Sequence, residues 1–386
     1  MPVMQSPPGA STVIDGRPYL YFAGTGYLGL QGREEVIRAA CEATARYGIG
    51  SATSRSRTGF GDTPPVVEVE RRAAEFFGQH DAFYFMSGYI GANILTETLG
   101  DAFDAVFIDE LSHYCLFEAA RLSGKPVLRF RHRDADDLRA TLNANLAPGQ
   151  RPLLLCDGVF AAKGTIAPLA DYRAVLADYP GAAMCIDDAH GLGVLGRAGR
   201  GSFEHARLWP AGVNRDVAEL RDAELPDAGP RQMLCGTLSK AMGGFGGIIA
   251  GTGRFIERLK NTSHYYSGAS PPPVPAAAAS ARALELVAAE PRLRVRLREN
   301  AAVLKNGLRK MGISIDDTPV PIACLAVGDA ANMQRIQREL MRRDICIAYF
   351  ASYAGLGPEG ALRIAVFATH TEQMIGQLLD ELARIV

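Results

Sequence analysis

From Asp81 onward, short uninterrupted apolar runs alternate with stretches whose apolar residues recur at helical spacing. "DAFYFM" leads into "SGYIGANILTETLG", "AVFID" into "LSHYCLFEAARLSG", "PVLRFRH" into "ADDLRATLNANL", and "PLLLCDGVF" into "LADYRAVLADYPG". "AAMCIDDAHG", "RQMLCGTLSKA" and "GGIIAG" close the series. An apolar run without polar alternation suits a strand buried on both faces. Such strands, alternating with helices, predict parallel βαβ units with helices on both sides of one sheet.

The two ends of the chain read differently. "STVIDGRPYLYFAGTGYLGL" places Asp15-Gly16 between two apolar-aromatic runs, a strong hairpin signal. "REEVIRAACEATARYG" has helical spacing and stops at Gly48, and "VVEVERRAAEFFG" repeats the device with Gly78. Between them lies a glycine, serine and arginine loop. Past the proline cluster of "SGASPPPVP", a long Ala/Leu/Arg helix is expected. "IACLAVG", "ICIAYF" and "ALRIAVFATH", with helices between and after, then predict a small α/β cap. The expected division is an N-terminal hairpin and helix segment over 1–50, a large domain over 51–270 and a small C-terminal domain over 271–386. The polar, proline-bearing stretch from Phe203 to Gln232 reads as a surface excursion.

Composition narrows the class. The 386 residues are 48% hydrophobic and 22% charged, with a formal net charge of −1. Nothing in that balance suggests nucleic acid or an anionic membrane as partner. No apolar run approaches the length of a membrane helix. Seven dispersed cysteines without CxxC spacing predict reduced thiols, a cytoplasmic setting and no metal site. "MPVMQSPPGAST" lacks the basic start and apolar core of a signal peptide.

Candidate chemistry falls at strand ends, where open parallel sheets bind ligands. Ser87-Gly88-Tyr89 follows a strand and opens a helix, which suits a phosphate. His113 lies just past "AVFID". Asp187, Asp188 and His190 follow "AAMCI", and Thr237, Ser239 and Lys240 follow "RQMLC". Each piece alone has an ordinary reading: a solvated lysine, a helix start, a capping acid or a structural histidine. Together they supply what pyridoxal 5'-phosphate needs, namely an amine for its aldehyde, an anion for its ring nitrogen, a flat group and a phosphate cradle. The glycines Gly243, Gly244, Gly246 and Gly247 leave room beside Lys240.

The stretches "YLGL", "FMSGYIGAN", "DELSHYCLFEAARLSG", "IAPL", "DDAHGLGVLGRAGRG", "GTLSKAMGGFGG" and "ALRIAVFATHT" resemble the α-oxoamine synthases. These are fold-type I pyridoxal-phosphate transferases, with a large mostly parallel sheet domain and a small C-terminal α/β domain. The resemblance runs from about Val13 to the C-terminus. It implies that Lys240 binds the cofactor aldehyde and carries the Cα proton. It also implies that Asp187 pairs with the ring nitrogen, His190 hydrogen-bonds the ring hydroxyl and His113 stacks on the ring. Ser87, Gly88, Tyr89 and Thr237 would hold the phosphate, and Arg363 would clamp the substrate carboxylate. A homodimer with Ser267 reaching the partner's phosphate is implied as well. So is the reaction, a decarboxylative condensation of an amino acid with an acyl thioester that gives an α-amino ketone.

Departures from the family pattern gather near the substrate. Gly26 stands where an asparagine is usual, Ala161 where a serine is usual, and Lys163 where an acid is usual. Atypical substrates are therefore expected. Two rival readings remain: another enzyme of this fold, an aminotransferase or a decarboxylase, or a non-catalytic partner subunit. Such subunits typically lose the lysine, which is present here.

Overall fold

The computed structural model describes residues 2–56, 59–209, 212–216, 229–353 and 355–386. The predicted apolar runs form one seven-stranded sheet. Its strands are β3 (Asp81–Phe85), β4 (Ala105–Asp109), β5 (Val127–Phe130), β6 (Pro152–Asp157), β9 (Ala183–Asp187), β10 (Arg231–Thr237) and β11 (Gly247–Gly251). The order across the sheet is β3-β11-β10-β9-β6-β4-β5. Both faces are covered, which is why the runs carry no polar alternation. Phe83, Phe85, Leu153, Leu155, Cys185 and Cys235 face the helices Gly91–Leu99, Tyr114–Leu122 and Gly253–Thr262. Ala82, Tyr84, Leu154, Cys156, Ile186 and Leu234 lie in the core of the opposite face.

One strand departs from the parallel expectation. β11 runs antiparallel to both β10 and β3. The reason is length: a parallel return needs a crossover of a dozen or more residues, and few residues separate Thr237 from Gly247. This tight return carries Lys240.

The N-terminal hairpin forms as read, with β1 (Ser11–Ile14) and β2 (Arg17–Tyr21) joined by Asp15 and Gly16 at φ 49° and 79°. It does not stand apart. β2 pairs in parallel with β13 (Ile345–Cys346), so both ends of the chain share a sheet. A two-stranded ribbon joins β7 (Val159–Phe160) to β8 (Thr165–Ile166). The remaining C-terminal strands, β12 (Ile322–Leu325), β14 (Ala348–Phe350) and β15 (Ala361–Ala365), form an antiparallel sheet in the order β12-β15-β14. The expected long helix is two, Val274–Ala289 and Arg292–Lys310. Pro291 separates them, because proline offers no backbone donor to continue the first. Among the described residues no helix is long and apolar enough to cross a membrane.

The ends of the Phe203–Gln232 stretch are buried, contrary to the surface reading; residues 217–228 lie outside the described residues. Phe203 is 0% and Asn214 1% exposed. Asn214, at φ 51°, inserts its carboxamide where β10 and β11 splay apart. Its Nδ2 donates to Leu234 O and Ala250 O, both at 2.8 Å, and its Oδ1 accepts from Leu234 N at 2.9 Å. The side chain thereby replaces ladder bonds that the diverging strands cannot make to each other. Truncation in Asn214→Ala strands these buried groups and is expected to cost about 3 kcal/mol of stability. Urea unfolding followed by circular dichroism measures it, with the midpoint falling while the native spectrum is retained.

Candidate active site

Five strands of the large sheet point their C-terminal ends to the same edge, and each delivers a polar group there. Past β3, Ser87 Oγ accepts from Tyr89 N at 3.3 Å and opens the short turn Gly88–Ile90. Past β4, His113 caps the helix Tyr114–Leu122, its ring accepting from Cys115 N. Asp157 ends β6, Asp187 ends β9 and Thr237 ends β10. A cavity of about 270 Å³ opens at this edge. Ser87, Gly88, Tyr89, His113, Asp187, His190, Thr237 and Lys240 all line it.

Gly88 is fixed by crowding rather than by its backbone angles. A Cβ there would fall 2.6 Å from Thr237 Cβ. The bare backbone turn and the threonine thus close on each other and leave a small cradle with amide donors at the start of the helix Gly91–Leu99. Thr237 is itself anchored, donating from Oγ1 to Gly246 O at 2.8 Å and accepting from Ser239 N at 3.1 Å.

Lys240 faces His190, with Nζ 2.9 Å from Nε2. His190 Nδ1 lies 2.8 Å from Tyr27 Oη, which accepts from Arg363 Nη2 at 3.0 Å. A guanidinium only donates, so the tyrosine hydroxyl is left to donate to Nδ1. That leaves the imidazole proton on Nε2, aimed at the lysine lone pair. The relay is consistent with the electrostatics. Burial, then Lys240, Arg363 and His113, holds His190 well below its ordinary pKa. Burial likewise lowers Lys240, with Arg363 assisting and Asp187 and Asp157 opposing.

Two carboxyls meet across the strand pair, because Asp157 and Asp187 are directly in register. Burial and the Asp187 charge push the Asp157 carboxyl well above the ordinary carboxylate range. Asp157 Oδ2 accepts from His113 N at 2.8 Å and fixes the start of that helix. Asp187 Oδ1 accepts from Ala189 N at 2.9 Å, and Oδ2 accepts from the Cys115 thiol at 3.5 Å. One acidic oxygen pair is thus held in the cavity that the lysine also lines, as a protonated ring nitrogen requires. The donor set and the Gly88 cradle fit pyridoxal phosphate.

Arg363 sits behind the relay, 3% exposed. Its Nε donates to Ala161 O at 3.1 Å and its Nη1 to Gly24 O at 3.4 Å. Ser267 is exposed and stands outside the cavity of its own chain. The Gly26 departure has a local cause. A Cβ there would lie 2.6 Å from Gln31 Oε1, and Gln31 Nε2 donates to Lys240 O at 2.7 Å. The space an asparagine would need is occupied by a side chain that holds the lysine backbone.

Sequence reasoning missed Tyr27, Asp157 and Cys115. Tyr27 is 163 residues from His190, so no local spacing links them. Asp157 did carry a signal, since it ends an apolar run in the same way as Asp187.

Comparison with known proteins agrees with this geometry. The family described as aminotransferase class I and II matches residues 21–382. The 8-amino-7-oxononanoate synthase of Cellvibrio japonicus (strain Ueda107) is 36% identical over 386 residues, covering 100% of this chain and 91% of that one. The enzyme of the same name from Nitrosococcus oceani is 35% identical over 387 residues, covering 100% and 96%. Among solved structures, Sphingomonas wittichii serine palmitoyltransferase superposes with a TM-score of 0.87 at 25% identity, covering 100% of this chain and 91% of that one. The chain belongs to the aminotransferase class I and II family, in its α-oxoamine synthase branch.

Proposed function

We propose that this chain is a pyridoxal-phosphate enzyme that condenses an amino acid with an acyl thioester, on coenzyme A or a carrier, to give an α-amino ketone. A carbon–carbon bond forms at the amino acid Cα, the thioester C–S bond breaks to release a thiol, and the original carboxylate leaves as CO2. The placement of Lys240 Nζ 2.9 Å from His190 Nε2, in a cavity that Asp187 also lines, carries the reading. When bound, pyridoxal phosphate supplies an aldehyde for the substrate amine and an electron sink for charge at Cα.

The chain's own residues do the rest. Lys240, desolvated, keeps a neutral fraction that takes and returns the Cα proton. His190 and Tyr27 orient that amine. His113 lines the cavity, where its ring would stack on the cofactor. Gly88, Tyr89, Ser87 and Thr237 would hold the phosphate, and Asp187 would supply the anion that keeps the ring nitrogen protonated. Arg363 receives the substrate carboxylate with charge-assisted bonds. We propose further that the enzyme is a cytoplasmic homodimer in which Ser267 serves the partner's phosphate. Seven free cysteines and the exposure of Ser267 support this. The Gly26, Ala161 and Lys163 departures support substrates unlike those of common relatives.

Adding amino acids and acyl thioesters to the loaded enzyme is expected to release CO2 and free thiol in equal amounts. Release of CO2 without thiol, or exchange of the amino group, would mark one of the rival chemistries instead. Borohydride treatment is expected to add the cofactor mass to the peptide carrying Lys240, and Lys240→Ala to abolish both the increment and the yellow colour. Because a depressed lysine pKa means the neutral amine persists to lower pH, covalent cofactor uptake should rise with pH around a midpoint below 10.5. Arg363→Met removes a cation that depresses Lys240, so the midpoint moves upward in that variant. The same variant is expected to weaken amino acid binding by about 10- to 100-fold, the range for a lost charge-assisted bond, measured by titration.

A further inference from the structure

Beside the cofactor cavity lies a second, narrower recess, and the chemistry proposed above leaves it unused. The two share His113 and Asp157 as a common wall. The turn between β7 and β8 and the first residue of β8 also line it, bringing in Ala161, Lys163 and Thr165.

Three observations give this recess a chemical character. First, the Thr165 hydroxyl is buried and has no hydrogen-bond partner, in a residue 5% exposed that lines the space. A buried hydroxyl without a partner is unfavourable, and an acceptor entering the recess relieves it. Second, Lys163 lines the same space, and among the described residues its amine has no hydrogen bond or ion pair. Third, Lys163 and Arg363 act on a common neighbour. Arg363 Nε binds Ala161 O at 3.1 Å, two positions before Lys163. Cys324, directly opposite Arg363 in register, feels both cations: burial raises its thiol pKa, and Lys163 and then Arg363 oppose the rise.

Among the described residues Lys163 is the lysine that lines the recess and Asp157 is the acid, already engaged by the His113 amide at 2.8 Å. Ala161, whose carbonyl accepts from Arg363 Nε at 3.1 Å, and Ala162 line the recess with short side chains. Such a pair of cations is matched by a molecule with two anionic groups.

We propose that this recess is a side-chain subsite, and that Lys163 with Thr165 selects an amino acid bearing a second acidic group: a carboxylate, sulfonate or phosphonate. The inference rests on the reading of the cavity as a pyridoxal-phosphate site that takes an amino acid. Arg363 holds the α-carboxylate, Lys163 pairs with the side-chain anion at the recess mouth, and Thr165 donates to it from within.

The test is equilibrium binding. The loaded enzyme is titrated with aspartate, glutamate, cysteate and 2-amino-3-phosphonopropionate, and with alanine and serine for comparison, following the visible cofactor band. At least one acidic amino acid is expected to bind about tenfold more tightly than alanine, the scale of one charge-assisted contact. Lys163→Met and Lys163→Glu should each erase that preference while leaving alanine within about twofold, because the alanine side chain does not reach the turn. Thr165→Val should remove part of it. Alanine or serine binding as tightly as every acid, or a preference that survives Lys163→Met, overturns the proposal and leaves the parent reading intact. So does a Lys163 dependence confined to acyl thioesters that end in a carboxylate. If no amino acid perturbs the band at all, the parent reading falls and the proposal falls with it.

Discussion

The contact between Lys240 Nζ and His190 Nε2 joins four distant parts of the chain at one point. Arg363 comes from β15, Tyr27 from beyond the N-terminal hairpin, His190 from the end of β9, and Lys240 from the return between β10 and β11. Each hydrogen bond in this relay fixes the direction of the next. Because a guanidinium cannot accept, the polarity of the whole line is set at its outer end, and it arrives at the lysine as a donated proton. A protonated amine would break the pattern. Burial of the site and the Arg363 charge work in the same sense as the relay, and they keep that amine ready to lose its proton.

Acidity around the relay is divided by position. Three aspartates, Asp157, Asp187 and Asp188, lie close together with different tasks. Asp157, its pKa raised by burial and by the Asp187 charge, serves as an acceptor for a helix amide. Asp187 turns to the cavity floor. Asp188 turns away from it, its pKa raised by burial to about 7, and accepts from Ser202 N at 2.5 Å. The glycines around Asp188 follow from this inward turn. A Cβ at Gly191 would fall 1.9 Å from Asp188 Oδ1, and one at Gly201 would fall 1.8 Å from Oδ2. The run "DDAHGLGVLGRAGRG" thus reads as one acid for the ligand, one for the loop, and bare backbone wherever the loop closes on the latter.

Much of this was legible along the chain, and the limit has a physical origin. Strand ends, the Asp15-Gly16 hairpin and helix stops at Gly48 and Gly78 are written in local residue types, so pattern reading finds them. The set Ser87, Gly88, His113, Asp187, His190, Thr237 and Lys240 is legible because each member sits just past an apolar run. Tyr27 is not, because its partners His190 and Arg363, 163 and 336 residues away, are chosen by tertiary folding. The reversal of β11 follows from a connection too short to cross the sheet, a constraint of geometry rather than of residue type. Asn214 looked like loop because its burial comes from filling a gap between two strands, and nothing in its neighbours announces that gap.

That wedge has an evolutionary consequence. Asn214 ties the entrance of the polar stretch to Leu234 and Ala250, while Gln232 O receives Asn214 N at 2.9 Å at the exit. The stretch is pinched shut at its base. With the two ends already held together, the entropy of closing a longer stretch between them grows only slowly with length. New sequence can therefore accumulate there without its strain reaching Thr237 or Lys240 at the far end of β10. An insertion of this kind gives a lineage a place to add recognition surface while the reacting groups stay where they are.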